Sequence, residues 1–205
     1  MMSEPSEHKP VLLNASALAE SDVGSFEWDR SHNSCFLTVS DDGRSIEWDS
    51  RKPEGNDVIY PPVWVPASTR LHLHSGEFQW DFVVEEMAHA QIGVGFMLLW
   101  NVGPDWGIFG YLGASPTAWS YDPSTGDVVY NTDSIQSGLP QFVDGRAGVV
   151  SIHLDLPRHA EGSAKFRVCD ADTRCISLPK GAVVLPAACF QKETQRVRLA
   201  GYERS

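Results

Sequence analysis

From Cys35 onward the chain shows no long stretch with helical apolar periodicity; β-branched and aromatic residues come in short bursts cut by turn residues. Strands are predicted at Cys35–Val39, Ser45–Trp48, Val63–Val65, Arg70–His74, Phe78–Glu85, Gln91–Leu98, Ile108–Leu112, Ala118–Tyr121 and Val128–Asn131. Further strands are predicted at Val149–Leu154, Ala164–Val168, Val183–Ala188 and Arg196–Leu199. Asp41-Asp42-Gly43 is a hairpin signal between the first two. Asp122-Pro123-Ser124-Thr125-Gly126-Asp127 and Pro179-Lys180-Gly181 read as loops. A dozen or so short strands without crossover helices can bury their apolar faces only as two packed antiparallel sheets. The expected fold class is therefore all-β, a two-sheet antiparallel β-sandwich.

Alternation in Phe78-Gln79-Trp80-Asp81-Phe82-Val83-Val84-Glu85 sends Phe78, Trp80, Phe82 and Val84 to one face. Three rings in a row can fill the layer of about 10 Å between stacked sheets. Gly76 lets the chain turn sharply into that strand. Gly93 and Gly95 share a face and leave room for a large neighbour, with Trp80 and Trp119 as the expected occupants. At 205 residues with 42% hydrophobic content, one β domain can bury a substantial core. Residues 1–23 are expected to be a tail, with a possible short helix at Asn14–Ser21, and residues 24–202 the sandwich.

With 27 acidic against 16 basic residues the formal net charge is −11, which argues against nucleic acid and anionic membranes as partners. The longest uncharged apolar run, Ile92–Trp100, is too short to span a bilayer, and Met1–His8 lacks the features of a signal peptide. An intracellular, cytoplasmic protein is expected. Cys35, Cys169, Cys175 and Cys189 form no CxxC pair. The expectation is free, mostly buried thiols, with a Cys169–Cys175 bridge across a hairpin as the alternative.

Several motifs line up with the SPRY domain family. Phe36-Leu37-Thr38-Val39-Ser40-Asp41-Asp42-Gly43 resembles the strand and Ser-x-Asp-Gly turn that open such domains. Ser75-Gly76-Glu77-Phe78-Gln79-Trp80-Asp81-Phe82 resembles the family's Gly-x-x-x-Trp-Glu strand, and Ile92-Gly93-Val94-Gly95-Phe96 its Val-Gly-Val strand. Leu112-Gly113-Ala114 through Trp119-Ser120-Tyr121-Asp122 is similar to a segment of the SPRY proteins that carry a SOCS box. Ser151-Ile152-His153-Leu154-Asp155, Ala164-Lys165-Phe166-Arg167-Val168, Val184-Leu185-Pro186-Ala187 and Val197-Arg198-Leu199 follow in family order. The resemblance spans roughly residues 24–202 and implies a concanavalin-like jelly-roll sandwich. It also implies a non-catalytic protein-interaction module, with no SOCS box in this chain. In the SOCS-box relatives, loops at one end of the sandwich accept a short extended peptide. By position, those loops correspond here to Arg51 and Pro53, to Asp105, Trp106, Gly107 and Ile108, and to Phe190, Gln191 and Lys192.

Catalytic constellations are weak. Only Ser75 and Gly76 separate His72-x-His74 from Glu77, too few for a cupin metal site. Asp81 and Glu85 share a strand face about 13 Å apart, wider than the pair a glycoside hydrolase needs, and Glu86 points the other way. Pro123 and the early Gly126 break a calcium-loop pattern between Asp122 and Asp127. No nucleophile elbow or phosphate loop is present. No enzyme activity, metal or cofactor is expected. The favoured reading is a protein or peptide partner bound at the loop end, with Trp106 as an aromatic anchor. A carbohydrate-binding or glycan-hydrolysing sandwich is the alternative, and a subunit of a larger complex a third reading.

Overall fold

The computed structural model describes residues 25–31, 36–49, 64–99, 111–143 and 146–205. The strands in chain order are β1 (Leu37–Val39), β2 (Ser45–Trp48), β3 (Val65–Ser68), β4 (Gly76–Glu86), β5 (Ile92–Leu98), β6 (Ala118–Asp122) and β7 (Asp127–Tyr130). They continue as β8 (Asp133–Gln136), β9 (Gly148–Leu156), β10 (Gly162–Val168), β11 (Ala171–Asp172), β12 (Ile176–Leu178), β13 (Val184–Phe190) and β14 (Arg196–Arg204). Among the described residues one sheet has eight strands, ordered β1-β2-β14-β4-β9-β10-β11 with β12 also on β10; the other has six, ordered β3-β13-β5-β6-β7-β8. Every pairing is antiparallel.

The alternation in β4 sets how the sheets meet. Phe78, Trp80, Phe82 and Val84 are all buried in the inter-sheet core, facing residues such as Ile92, Val94 and Phe96 from β5. Phe96 stacks on Trp119 at 5.2 Å within its own sheet and on Phe166 of the opposite sheet at 5.8 Å. Gly76 opens β4 at φ 122°, a backbone shape that glycine reaches without steric cost.

Gly93 and Gly95 do lie under close neighbours, but not under tryptophan rings. A Cβ at Gly93 would meet the Ser120 hydroxyl, the Cys189 thiol and the Tyr111 ring. At Gly95 it would strike the Trp119 carbonyl oxygen. Trp80 and the Trp119 ring belong to the inter-sheet core on the other face. The glycine face instead carries a second, smaller cluster on the outside of the six-stranded sheet. Met97, Leu112, Leu185 and Cys189 form it, and Trp64 and Tyr111 pack over it.

The remaining differences are local. The expected strand at Arg70–His74 is reduced to a bridge between Leu73 and Val184, because the chain crosses there from β3 in one sheet to β4 in the other. Leu112–Ala114 is a 3-10 turn, and residues 108–110 lie outside the described residues. Strands β8, β11 and β12 were not expected; they are short sheet-edge segments with little apolar alternation. Residues 1–23, expected as a tail with a short helix at Asn14–Ser21, also lie outside the described residues. Among the described residues no helix is long and apolar enough to cross a membrane.

Candidate functional site at the loop end

Pairing register gathers several connections at one end of the sandwich. Phe190 faces Ile92, Arg196 faces both Glu86 and Glu47, and Val94 faces Tyr121. The β4–β5 loop, the β13–β14 loop, the exit from β2 and the β6–β7 turn therefore share this end. A shallow open groove of about 550 Å³ lies there, lined by Met87, His89 and Gln91 of the β4–β5 loop, by Gln191, and by Ser124, Phe142 and Val143.

Both walls are built from hydrogen bonds as well as packing. Gln195, 0% exposed, reaches between the β13–β14 and β4–β5 loops. Around the β6–β7 turn, Phe142 N–H donates to the Pro123 carbonyl (2.8 Å) and Gln141 Nε2 to the Thr125 carbonyl (2.9 Å). The Tyr121 hydroxyl donates to the Pro140 carbonyl. The Phe142 ring lies edge-on to Tyr121 at 5.9 Å and occupies the space a side chain at Gly148 would need. Val143 follows directly and is 65% exposed. An apolar side chain left this open beside a half-buried phenyl ring can gain by being covered.

The electrostatics of the turn come from one buried carboxyl. Asp122 Oδ1 accepts from Ser124 N–H (2.8 Å) and from the Ser124 hydroxyl (2.6 Å). Burial pushes its pKa up, and these bonds oppose that shift. The connection is a hairpin between β6 and β7, with Asp122 opposite Asp127.

Of the expected partner-binding residues, Phe190 is fully buried in the core, Gln191 is half-buried and Lys192 is exposed. Arg51, Pro53, Asp105, Trp106, Gly107 and Ile108 lie outside the described residues. Val143 and Gln195 were not singled out in the sequence. Trp64 packs against Tyr111 at 4.7 Å on the outside of the six-stranded sheet.

The other constellations are placed as follows. Glu85 pairs with Arg198 at 2.8 Å, while the Asp81 carboxylate lies against Gly201 in β14. His74 Nδ1 lies 3.4 Å from the Ser75 hydroxyl. Among the described residues no group of three or more His, Cys, Asp or Glu is arranged to hold a metal ion.

Cys169 and Cys175 are free and exposed, which corrects the expectation of buried thiols for these two. Ala164 pairs with Ile176, so Cys175 falls level with Lys165, about 13 Å along the strand from Cys169 and beyond disulfide reach. Cys189 is buried, and its thiol pKa is pushed up to about 12 by desolvation. Thiol labelling of the native protein, read at each cysteine by mass spectrometry, should modify Cys169 and Cys175 and spare Cys189 until unfolding. Labelling of native Cys189 at a comparable rate would contradict this packing.

The architecture defines an antiparallel two-sheet β-sandwich with a lined groove among the loops at one end. No protein-family profile matches the sequence, and no curated protein matches it. Solved structures do. The SPRY domain of human HERC1 is similar with a TM-score of 0.60 and 16% identity, covering 84% of this chain and 96% of that one. A human SPRY domain is similar with a TM-score of 0.58 and 13% identity, covering 80% and 94%. The TRIM65 PSpry domain gives 0.57 and 14%, covering 85% and 91%. The chain has the SPRY-domain fold.

Proposed function

We propose that the chain is a protein-interaction module without catalytic chemistry, receiving an extended segment of a partner protein across the loop end. The observation that carries this reading is the groove itself, with Val143 65% exposed at its side. Among the described residues, none of those lining it is Asp, Glu, Lys or Arg, which suits an uncharged or apolar segment. Exposed Lys192 lies one residue beyond Gln191, where it can offer a polar contact at the rim. Phe190 supports the β13–β14 loop from within the core, so Gln191 and Lys192 are the presenting residues of that stretch. Arg51 and Pro53, with Asp105, Trp106, Gly107 and Ile108, are proposed to complete the surface on their sequence positions. The acidic balance favours a protein partner over nucleic acid or an anionic membrane.

The test is direct. A partner is identified with the tagged full chain, purified, and titrated against wild type, Val143→Asp and Trp106→Ala. Each variant should keep the wild-type melting temperature; Trp106→Ala should weaken binding by about 2 kcal/mol or more. Val143→Asp should weaken it at least tenfold, because the new carboxylate would be desolvated on binding. Unchanged affinity in both variants would sink the placement. Saturable binding or cleavage of defined oligosaccharides would favour the carbohydrate reading.

A further inference from the structure

We infer that Gln195 is a positioning residue that fuses the β4–β5 and β13–β14 loops into one preorganised wall of the groove. This rests on the reading of the loop end as a docking site, but it concerns the free protein. A glutamine amide offers one oxygen with two lone pairs and two N–H donors. Here the oxygen is doubly used and both donors are directed at the facing loop. Gln195 Oε1 accepts from Gln191 N–H at 2.6 Å and Lys192 N–H at 2.9 Å. Its Nε2 faces the carbonyls of Met87 (2.9 Å), Ala90 (3.2 Å) and Gln91 (2.9 Å), so two hydrogens serve three acceptors. The oxygen side thus holds one loop and the nitrogen side the other.

The loops need such a holder. Ala88 and His89 both sit in the left-handed region, at φ 54° and 53°, which non-glycine residues occupy only when their surroundings fix them. Glu86 Oε1 accepts from Met87 N–H and Ala88 N–H from below, and Gln91 N–H donates to Gln191 Oε1 as a second link between the loops. The backbone around Gln195 extends the tie to β2. Trp48 N–H donates to the Gln195 carbonyl (3.1 Å) and Thr194 N–H to the Trp48 carbonyl (3.0 Å). Water could satisfy the same carbonyls at an open sandwich end. A fully buried amide instead removes the freedom that a binding partner would otherwise have to take away.

The two sides of the amide give a test that simple packing cannot imitate. Amide hydrogen exchange is followed in the free full-length chain for wild type, Gln195→Met and Gln195→Glu. Gln195→Met removes both sides, so exchange should quicken about tenfold or more at Gln191 and Lys192 and likewise at Ala90 and Gln91. Gln195→Glu keeps an accepting oxygen for Gln191 and Lys192 but leaves the three carbonyls of the facing loop with one O–H donor when protonated and with a repelling oxygen when ionised. It should loosen Ala90 and Gln91 while leaving Gln191 and Lys192 near wild type. Val84 and Ala188, inside β4 and β13, should stay protected in both variants. If Gln195→Met does not fold, the side-selective pattern in Gln195→Glu decides alone. Unchanged loop exchange, or an equal rise across loops and strands, would overturn the inference. Neither result needs a partner, so failure here leaves the docking proposal standing, and the Val143 and Trp106 variants can fail without touching Gln195.

Discussion

Replacing Gly95 by Ala should cost more than about 3 kcal/mol or prevent folding altogether. The added Cβ would come 2.0 Å from the Trp119 carbonyl oxygen and 3.0 Å from Ser120 Cα, all backbone atoms of the neighbouring strand. A flexible side chain could swing away; this obstacle cannot. Gly95 pairs with Ser120, and β5 lies between β13 and β6, so relief on one side strains the ladder on the other. Gly138→Ala is the control. Nothing lies within 4 Å of its Cβ, but φ is 83°, so the cost should be about 1–2 kcal/mol of backbone strain alone. Urea unfolding of the two variants separates the effects. A Gly95→Ala protein within 1 kcal/mol of wild type would show that β5 and β6 do not approach as described.

Phe166→Ala should destabilise the domain by about 3–5 kcal/mol. The ring is 0% exposed and reaches from the eight-stranded sheet to Phe96 of the six-stranded one at 5.8 Å. Its loss leaves a cavity where the two layers meet, and flanking strands fixed by hydrogen bonds can close it only in part. Domains are stable by only about 5–15 kcal/mol in total, so the change removes a large share. Val149→Ala, on the outer face of β9 and 45% exposed, should stay within about 0.5 kcal/mol. The denaturation midpoint should fall for Phe166→Ala with an unchanged slope. A shift no larger than that of Val149→Ala would contradict the inter-sheet contact.

What the sequence revealed follows from how each feature is encoded. The β4 face and the Asp41-Asp42-Gly43 hairpin are local patterns, written in consecutive residues, and both stand in the structure. Strand β8, Asp-Ser-Ile-Gln, has only one apolar residue and is held by backbone pairing to β7, which leaves little pattern to read. Gln195 sits in Gln191-Lys192-Glu193-Thr194-Gln195-Arg196, a run indistinguishable from a solvated loop. Its burial depends on a contact with a loop 104 to 108 residues away. Val143 follows a Pro- and Gly-containing stretch whose packing on the β6–β7 turn is likewise set by tertiary contacts. Core-forming residues were legible because burial follows periodicity. Groove-forming residues, Gln191 apart, were not, because the groove arises where unrelated loops meet.

The position of β14 governs how such a chain can be assembled. It lies between β2 and β4, so among the described strands the β1–β2 hairpin joins the rest of its sheet through the strand written last. The Arg196–Glu47 ion pair across that seam closes a sequence separation of 149 residues. During synthesis the early hairpin and one edge of β4 must wait, unpaired on that side, until residues 196–204 have emerged. Closing so long a loop makes acquisition of the native state slow compared with hairpin formation. The exposed edge of β4 in that interval is the place where a nascent chain of this design is most vulnerable to pairing with the wrong strand.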